Sequence, residues 1–213
     1  MQACGSRTWL PVCLAFAALA VSGCSSMSAV ECQALDWRTM GYEDGVSGYS
    51  GNRIGRHREA CGKHGVTPDL AQYQAGREQG LREFCRPANG FRVGARGQGY
   101  GGICPADMDD AFVAAYQSGR QLYTLHAQLD GAAQELESRR RELHRIDERL
   151  VRIGADILDP KISHEQRAQL LLDTKQMAER KGAIRNEMPR LEADVAHYQR
   201  ELDAYRATLA YRE

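Results

Sequence analysis

The chain has 213 residues, and its 28 Lys and Arg balance 28 Asp and Glu, so the formal net charge is zero. That balance excludes the basic footprint of a nucleic-acid binder, and no apolar run reaches the ~20 residues of a membrane-spanning helix. A hydrophobic fraction of 43% is too high for wholesale disorder, and glycine is abundant at 21 residues.

The opening segment reads as an export signal. Arg7 is the only charged residue before Cys24, and Leu10 to Val21 is almost wholly apolar yet too short to span a bilayer. It ends in Val21-Ser22-Gly23-Cys24, the form of a bacterial lipobox, with small residues before the cysteine. Residues 1–23 are then a signal peptide, Cys24 the lipidated residue and 24–31 a tether. Two or more acyl chains hold a protein stably at a membrane without crossing it. Ser25 follows the lipidation site where Asp would favour inner-membrane retention, by likeness to sorted Gram-negative lipoproteins. The expected address is the periplasmic face of the outer membrane.

Cysteine usage agrees with that compartment. Of seven cysteines, Cys4 and Cys13 leave with the signal and Cys24 is lipidated, which leaves Cys32, Cys61, Cys85 and Cys104. An even number in an exported chain reads as two disulfides. Three connectivities are open. Cys32–Cys61 with Cys85–Cys104, which closes two separate loops, is the favoured one.

The rest of the chain has two grammars, divided near Cys104-Pro105. Residues 32–105 are rich in glycine, tyrosine and arginine and form a small disulfide-linked helical domain. An aromatic-glycine pattern recurs there as Trp37-x3-Gly41-x3-Gly45, Tyr73-x2-Gly76-x3-Gly80 and, just beyond, Tyr116-x2-Gly119-x3-Tyr123. Glycines four apart share one helix face and let another backbone approach closely. Thr67-Pro68-Asp69 reads as an N-cap with proline at the first helical position, which predicts a helix from there towards Cys85. Between Arg86 and Cys104, the six glycines Gly90, Gly94, Gly97, Gly99, Gly101 and Gly102 predict a loop.

A resemblance rests on residues of this region. Asp36-Trp37, Gly41-Tyr42-x-Asp44-Gly45, His57-x3-Cys61, Gly65-x-Thr67-Pro68-Asp69, Tyr73-x2-Gly76-Arg77-x2-Gly80-Leu81 and Gly102-x-Cys104-Pro105 resemble the bacterial lipoprotein family called domain of unknown function 2799. The likeness covers roughly Cys32 to Tyr123. It implies an exported, disulfide-bearing envelope protein and carries no activity over to particular residues.

Residues 106–213 read as a coiled-coil hairpin. Leu122, Leu129, Leu136, Leu143, Leu150 and Ile157 recur at heptad spacing, with Leu125, Ala132, Ile146 and Ile153 at the complementary position. Asp159-Pro160 breaks the pattern, and Ser163 with Gln166 forms a capping box for a second helix. That helix carries Leu170, Met177, Ile184, Leu191, Tyr198 and Tyr205, with Met188, Val195, Leu202 and Leu209 between them. Folding about Pro160 pairs Leu150 with Leu170, Leu143 with Met177, Leu136 with Ile184 and Leu129 with Leu191. It sets Pro189 against Gly131, leaving room for a kink, and Arg139 against Lys181, a like-charge layer that weakens packing.

Chemistry is thin. His57-x3-Cys61-x2-His64 has zinc-ligand residue types, but a disulfide competes for Cys61. No nucleophile elbow fixes a catalytic triad, and Gly94-x2-Gly97-x-Gly99 lacks the strand and helix of a dinucleotide fingerprint. Catalytic, metal and cofactor residues are therefore expected to be none. Trp37, Tyr42, Tyr73 and Arg77 form a candidate binding surface, where stacking and guanidinium donors suit glycan carboxylates. The competing reading makes those aromatics the domain core. The expectation is an all-α lipoprotein with a non-catalytic structural or adaptor role and an envelope protein partner bound by the hairpin. Peptidoglycan or envelope-glycan binding is the alternative, and a zinc-dependent or other envelope enzyme the third.

Overall fold

A computed structural model describes residues 27–209 of the chain, so Cys24 and the expected signal peptide 1–23 lie outside the described residues. The described chain is all α-helical: α1 (Ala29–Ala34), α2 (Trp37–Val46), α3 (Arg53–Gly62), α4 (Leu70–Phe84), α5 (Pro87–Ala95), α6 (Ala106–Leu158) and α7 (His164–Thr208). Local capping accounts for most starts. Ser28 and Glu31 form a capping box on α1, and Asp36 accepts from the Arg38 amide at 3.1 Å to open α2. Asp69, rather than Thr67, caps α4 by accepting from the Gln72 amide at 3.0 Å. Pro68 therefore stands before the cap instead of at the first helical position. Ser163 and Gln166 make the expected capping box on α7.

Two helix pairs build the first part, α2 with α4 and α5 with α6, and glycine sets both contacts. A Cβ on Gly41 would lie 2.0 Å from the Tyr73 carbonyl oxygen, and one on Gly76 would lie 1.8 Å from that of Arg38. Gly45 and Gly80 repeat this one turn on, against the carbonyls of Arg77 and Tyr42. Between α5 and α6, a Cβ on Gly94 would meet the Tyr116 carbonyl and one on Gly119 that of Phe91, each at 2.1 Å. The backbones touch, so no larger residue fits. This corrects the loop expected between Arg86 and Cys104: Pro87 opens a helix at its first turn, and Gly90 and Gly94 serve contact rather than turning. The irregular chain is confined to the segment after Ala95.

The second pair repeats the first. Gly41, Gly45 and Gly48 recur as Gly90, Gly94 and Gly97 at one constant offset, and Tyr73, Gly76, Gly80 and Phe84 recur as Phe112, Ala115, Gly119 and Tyr123 at another. Gly48 and Gly97 both have φ of 71°, the left-handed helix end that favours glycine. Each lies under an aromatic ring, of Phe84 and of Tyr123, with no room for a side chain. The exit hydrogen bonds match as well: Tyr49 N donates to Asp44 O at 3.0 Å, and Gln98 N to Val93 O at 3.1 Å. The aromatic-glycine pattern read from sequence is thus real but out of phase, because Gly119 is the counterpart of Gly80 and not of Gly76.

The disulfides are Cys32–Cys61 and Cys85–Cys104, the favoured connectivity. Each ties the chain entering a pair's first helix to the connection that precedes its second. Chain-entropy reasoning assigns each roughly 3–4 kcal/mol. A core of Leu81, Cys85, Val93 and Phe112, flanked by Phe84, Tyr100 and Tyr116, joins the two pairs. The Phe84 and Phe112 rings stack at 5.5 Å.

Beyond Tyr123, α6 continues as the first arm of the hairpin, and at 1.5 Å per residue the whole helix is about 80 Å long. Heptad-position residues are buried or half-buried, Leu136, Ile153, Ile184 and Leu202 most completely. The register differs from the sequence expectation. On one edge Arg140 donates to Glu192 at 3.2 Å, and Arg206 to His126 Nε2 at 2.9 Å. On the other, Arg180 donates to Glu142 at 2.8 Å. The seam midway between those edges is one heptad displaced, so Leu129 is level with Tyr198 and Leu136 with Leu191. Charge explains the displacement. The expected register set Arg139 against Lys181. The observed one gives Arg139 the carboxylate of Glu187, beside Glu135 and Glu142 of its own helix, and gives Lys181 that of Asp147. Pro189 is no longer opposite Gly131. It lies exposed on the outer face of a continuous α7, where its missing amide leaves the seam intact.

Candidate functional site

The first helix pair contains a polar cluster that its twin lacks. Asp44 sits three residues after Gly41 and beside Gly45, on the glycine face of α2, and this position buries it to 5% exposure. A buried carboxylate needs partners. Tyr73 of α4 donates its hydroxyl to Asp44 Oδ2 at 2.8 Å, and His57 Nε2 of α3 donates to the same oxygen at 2.8 Å. Arg53, at the start of α3, brings its Nε to 3.8 Å from Oδ1. Burial first, and then the bond to Asp44, pushes the Tyr73 phenol above its ordinary value of 10.0, so it stays protonated as a donor.

The cluster opens outward at the α2–α3 connection. Arg53 lies over the Tyr49 ring at 4.2 Å, and Arg77 Nη2 donates to the Tyr49 carbonyl at 2.9 Å. Tyr49, Ser50, Asn52, Arg53 and Arg56 line a cavity of about 200 Å³. In the second pair the counterparts of Asp44 and Tyr73 are Val93 and Phe112, which form core. Tyr116 replaces Arg77 and donates to the Gln98 carbonyl at 3.0 Å, so a hydroxyl there does what a guanidinium does in the first pair.

The residues singled out from sequence are dispersed. Tyr73 is core and Arg77 supports the cavity loop, while Tyr42 donates to Glu83 at 3.2 Å and Trp37 is the half-buried first residue of α2. The zinc-like trio also separates: Cys61 is in a disulfide, His57 is on Asp44, and His64 Nε2 lies 2.9 Å from the Met27 carbonyl. Among the described residues, no three His, Cys, Asp or Glu side chains are grouped to hold a metal ion. Sequence reasoning missed Asp44 as a centre. Its signal was a carboxylate within a glycine stripe, a face that is buried by construction.

A second feature is the far end of the hairpin. Leu158 is 80% exposed and Val151 74%, and Leu171 and Leu172 are each more than half exposed. These four lie on the last turns of α6 and the first turns of α7, around the Asp159–Ser163 turn. Arg167 donates to the carbonyls of Ile157 and Asp159 and closes the end of α6.

The class defined by these features is an all-α domain of two glycine-packed, disulfide-tied helix pairs, extended by a helical hairpin. Residues 36–121 match the family described as Protein of unknown function (DUF2799), the one its motifs resemble. The match runs from the cap of α2 to just past Gly119, so it spans both helix pairs and stops before the hairpin arms. No curated protein and no solved structure matches the chain.

Proposed function

We propose that the protein is a lipid-anchored outer-membrane lipoprotein facing the periplasm, with a structural or adaptor role carried by its hairpin. The lipobox at Cys24 and the two disulfides support the address. One observation carries the role: the apolar residues at the hairpin tip, Val151, Leu158, Leu171 and Leu172, stand in solvent. Four large aliphatic side chains exposed on the last turns of a charged rod support a docking reading. The glycine-packed domain holds the base of the rod, since α6 is shared between the second helix pair and the hairpin. The occupant in this reading is an envelope protein with a complementary apolar groove.

A photoreactive residue placed at Leu158 or Leu172 in living cells tests it. Both positions should give one discrete protein adduct, and Gln134, exposed partway along the arm, should not. Adducts of equal yield at all three positions, or none at the tip, would contradict a docking role.

A further inference from the structure

We infer that the cavity at the α2–α3 connection is a binding site for an acidic sugar, a pyranose ring bearing a carboxylate. The internal repeat carries the argument. A helix pair of this kind stands with Val93, Phe112 and Tyr116 at the positions where the first pair has Asp44, Tyr73 and Arg77. The fold therefore does not require the polar set, and a buried carboxylate is costly unless satisfied. In the first pair two of these departures stand behind one cavity and hold its lining: Asp44 pairs with Arg53, and Arg77 donates to the Tyr49 carbonyl.

Each part of the site has a chemical use. Asp44, fixed by Tyr73 and His57, faces the inner side of Arg53, whose Nε is buried and makes no hydrogen bond. Arg53 covers one face of the Tyr49 ring, and Tyr49 as a whole is 43% exposed, so aromatic surface remains for a sugar ring to stack on. Arg56 is exposed on the rim and has no ion-pair partner among the described residues. Two guanidinium groups beside a flat aromatic face match a carboxylate on a ring. Ser50 and Asn52 supply a hydroxyl and an amide at the same opening, and the Asn52 side chain makes no cap bond to α3. A volume of about 200 Å³ accommodates one sugar-sized group and falls below a drug-sized pocket of roughly 300 Å³ or more.

Titration of the full chain with glucuronate tests this, with glucose as the uncharged ring and inorganic phosphate as the ringless anion. Glucuronate should bind, and glucose and phosphate should each bind about tenfold more weakly, because charged hydrogen bonds and stacking then act singly. Arg56→Gln and Tyr49→Ala should each weaken glucuronate binding about fivefold or more; Arg56→Gln should leave thermal unfolding unchanged because its side chain is exposed, and Tyr49→Ala should lower it only slightly by losing the Arg53 contact. Glucuronate binding unaffected by either substitution would overturn the assignment. So would phosphate binding as tightly as glucuronate, which would leave a simple anion site. The hairpin tip is remote from this cavity, so a Leu172→Glu chain that still binds glucuronate separates this inference from the docking role.

Discussion

The two helix pairs and the hairpin solve the same problem, holding two helices side by side, by opposite means. In the pairs, glycines remove side chains until one backbone meets the other's carbonyls, as at Gly76 on Arg38 and Gly119 on Phe91. Such a contact exists in one register only, because a shift of one residue puts a Cβ where a carbonyl already lies. In the hairpin, leucines and isoleucines recur every seven residues, and a slip of one heptad presents nearly the same apolar seam. Shape therefore fixes the pairs, while the register of the hairpin is left to charges beside its seam. Arg139 and Lys181 decide it, since one heptad changes a like-charge layer into pairs with Glu187 and Asp147.

The largest expected break in the comparison is loss of a disulfide. Cys85→Ser with Cys104→Ser should cost the domain about 3–4 kcal/mol in denaturant unfolding followed by near-ultraviolet circular dichroism. Hydrogen exchange in the far half of the hairpin should be unchanged, because no disulfide touches it.

Alanine at the glycines comes next and should have opposite signs in the two regions. Gly76→Ala and Gly119→Ala force a methyl into backbone and should each destabilise by roughly 2–3 kcal/mol, as overpacking does. Gly131→Ala and Gly182→Ala meet nothing within 4 Å and should each stabilise by about 1 kcal/mol through helix propensity. Thermal unfolding reads both. Equal signs at the four positions would remove the distinction between shape and seam.

The smallest effect is in pH, and it too divides the molecule. Hydrogen bonds from Arg180 and from Lys181 hold Glu142 and Asp147 below their ordinary 4.5 and 3.8. Their contribution is present above about pH 4.5 and is lost as pH falls through the lowered values, so acid should loosen the hairpin. These groups are exposed, which keeps the effect small and salt-sensitive. Tyr73 and Tyr100 move the other way, raised above 10.0 by burial and then by bonds to Asp44 and Asp109. Their contribution is complete below pH 10.0 and is lost as pH rises, so alkali should loosen the domain first. Hydrogen exchange at acid and alkaline extremes should show the two regions opening in opposite order.

Legibility in the sequence follows the same division. The helices, the Ser163–Gln166 cap and both disulfides are readable because each rests on local chemistry or on counting. Gly90 and Gly94 misread as a loop because glycine in contact and glycine in a turn look alike until the partner helix is known. Pro87 was the local sign of a helix start. The hairpin register could not be read from leucines alone, but the opposition of Arg139 and Lys181 was itself a sign that the pairing was slipped. The polar cluster was visible only in pieces: Asp44 lay within a glycine motif and His57 within a zinc-like spacing. Nothing in one dimension joins them to Tyr73.

The register is the most direct test of what charge does here. With the two disulfides intact, Leu129→Cys with Tyr198→Cys should crosslink within one chain, using a short thiol reagent. Leu129→Cys with Leu191→Cys should not, because a heptad displaces the partner by roughly 10 Å along the helix. The reverse preference, or crosslinked dimers from the first pair at low protein concentration, would contradict a hairpin whose register is chosen by Arg139 and Lys181.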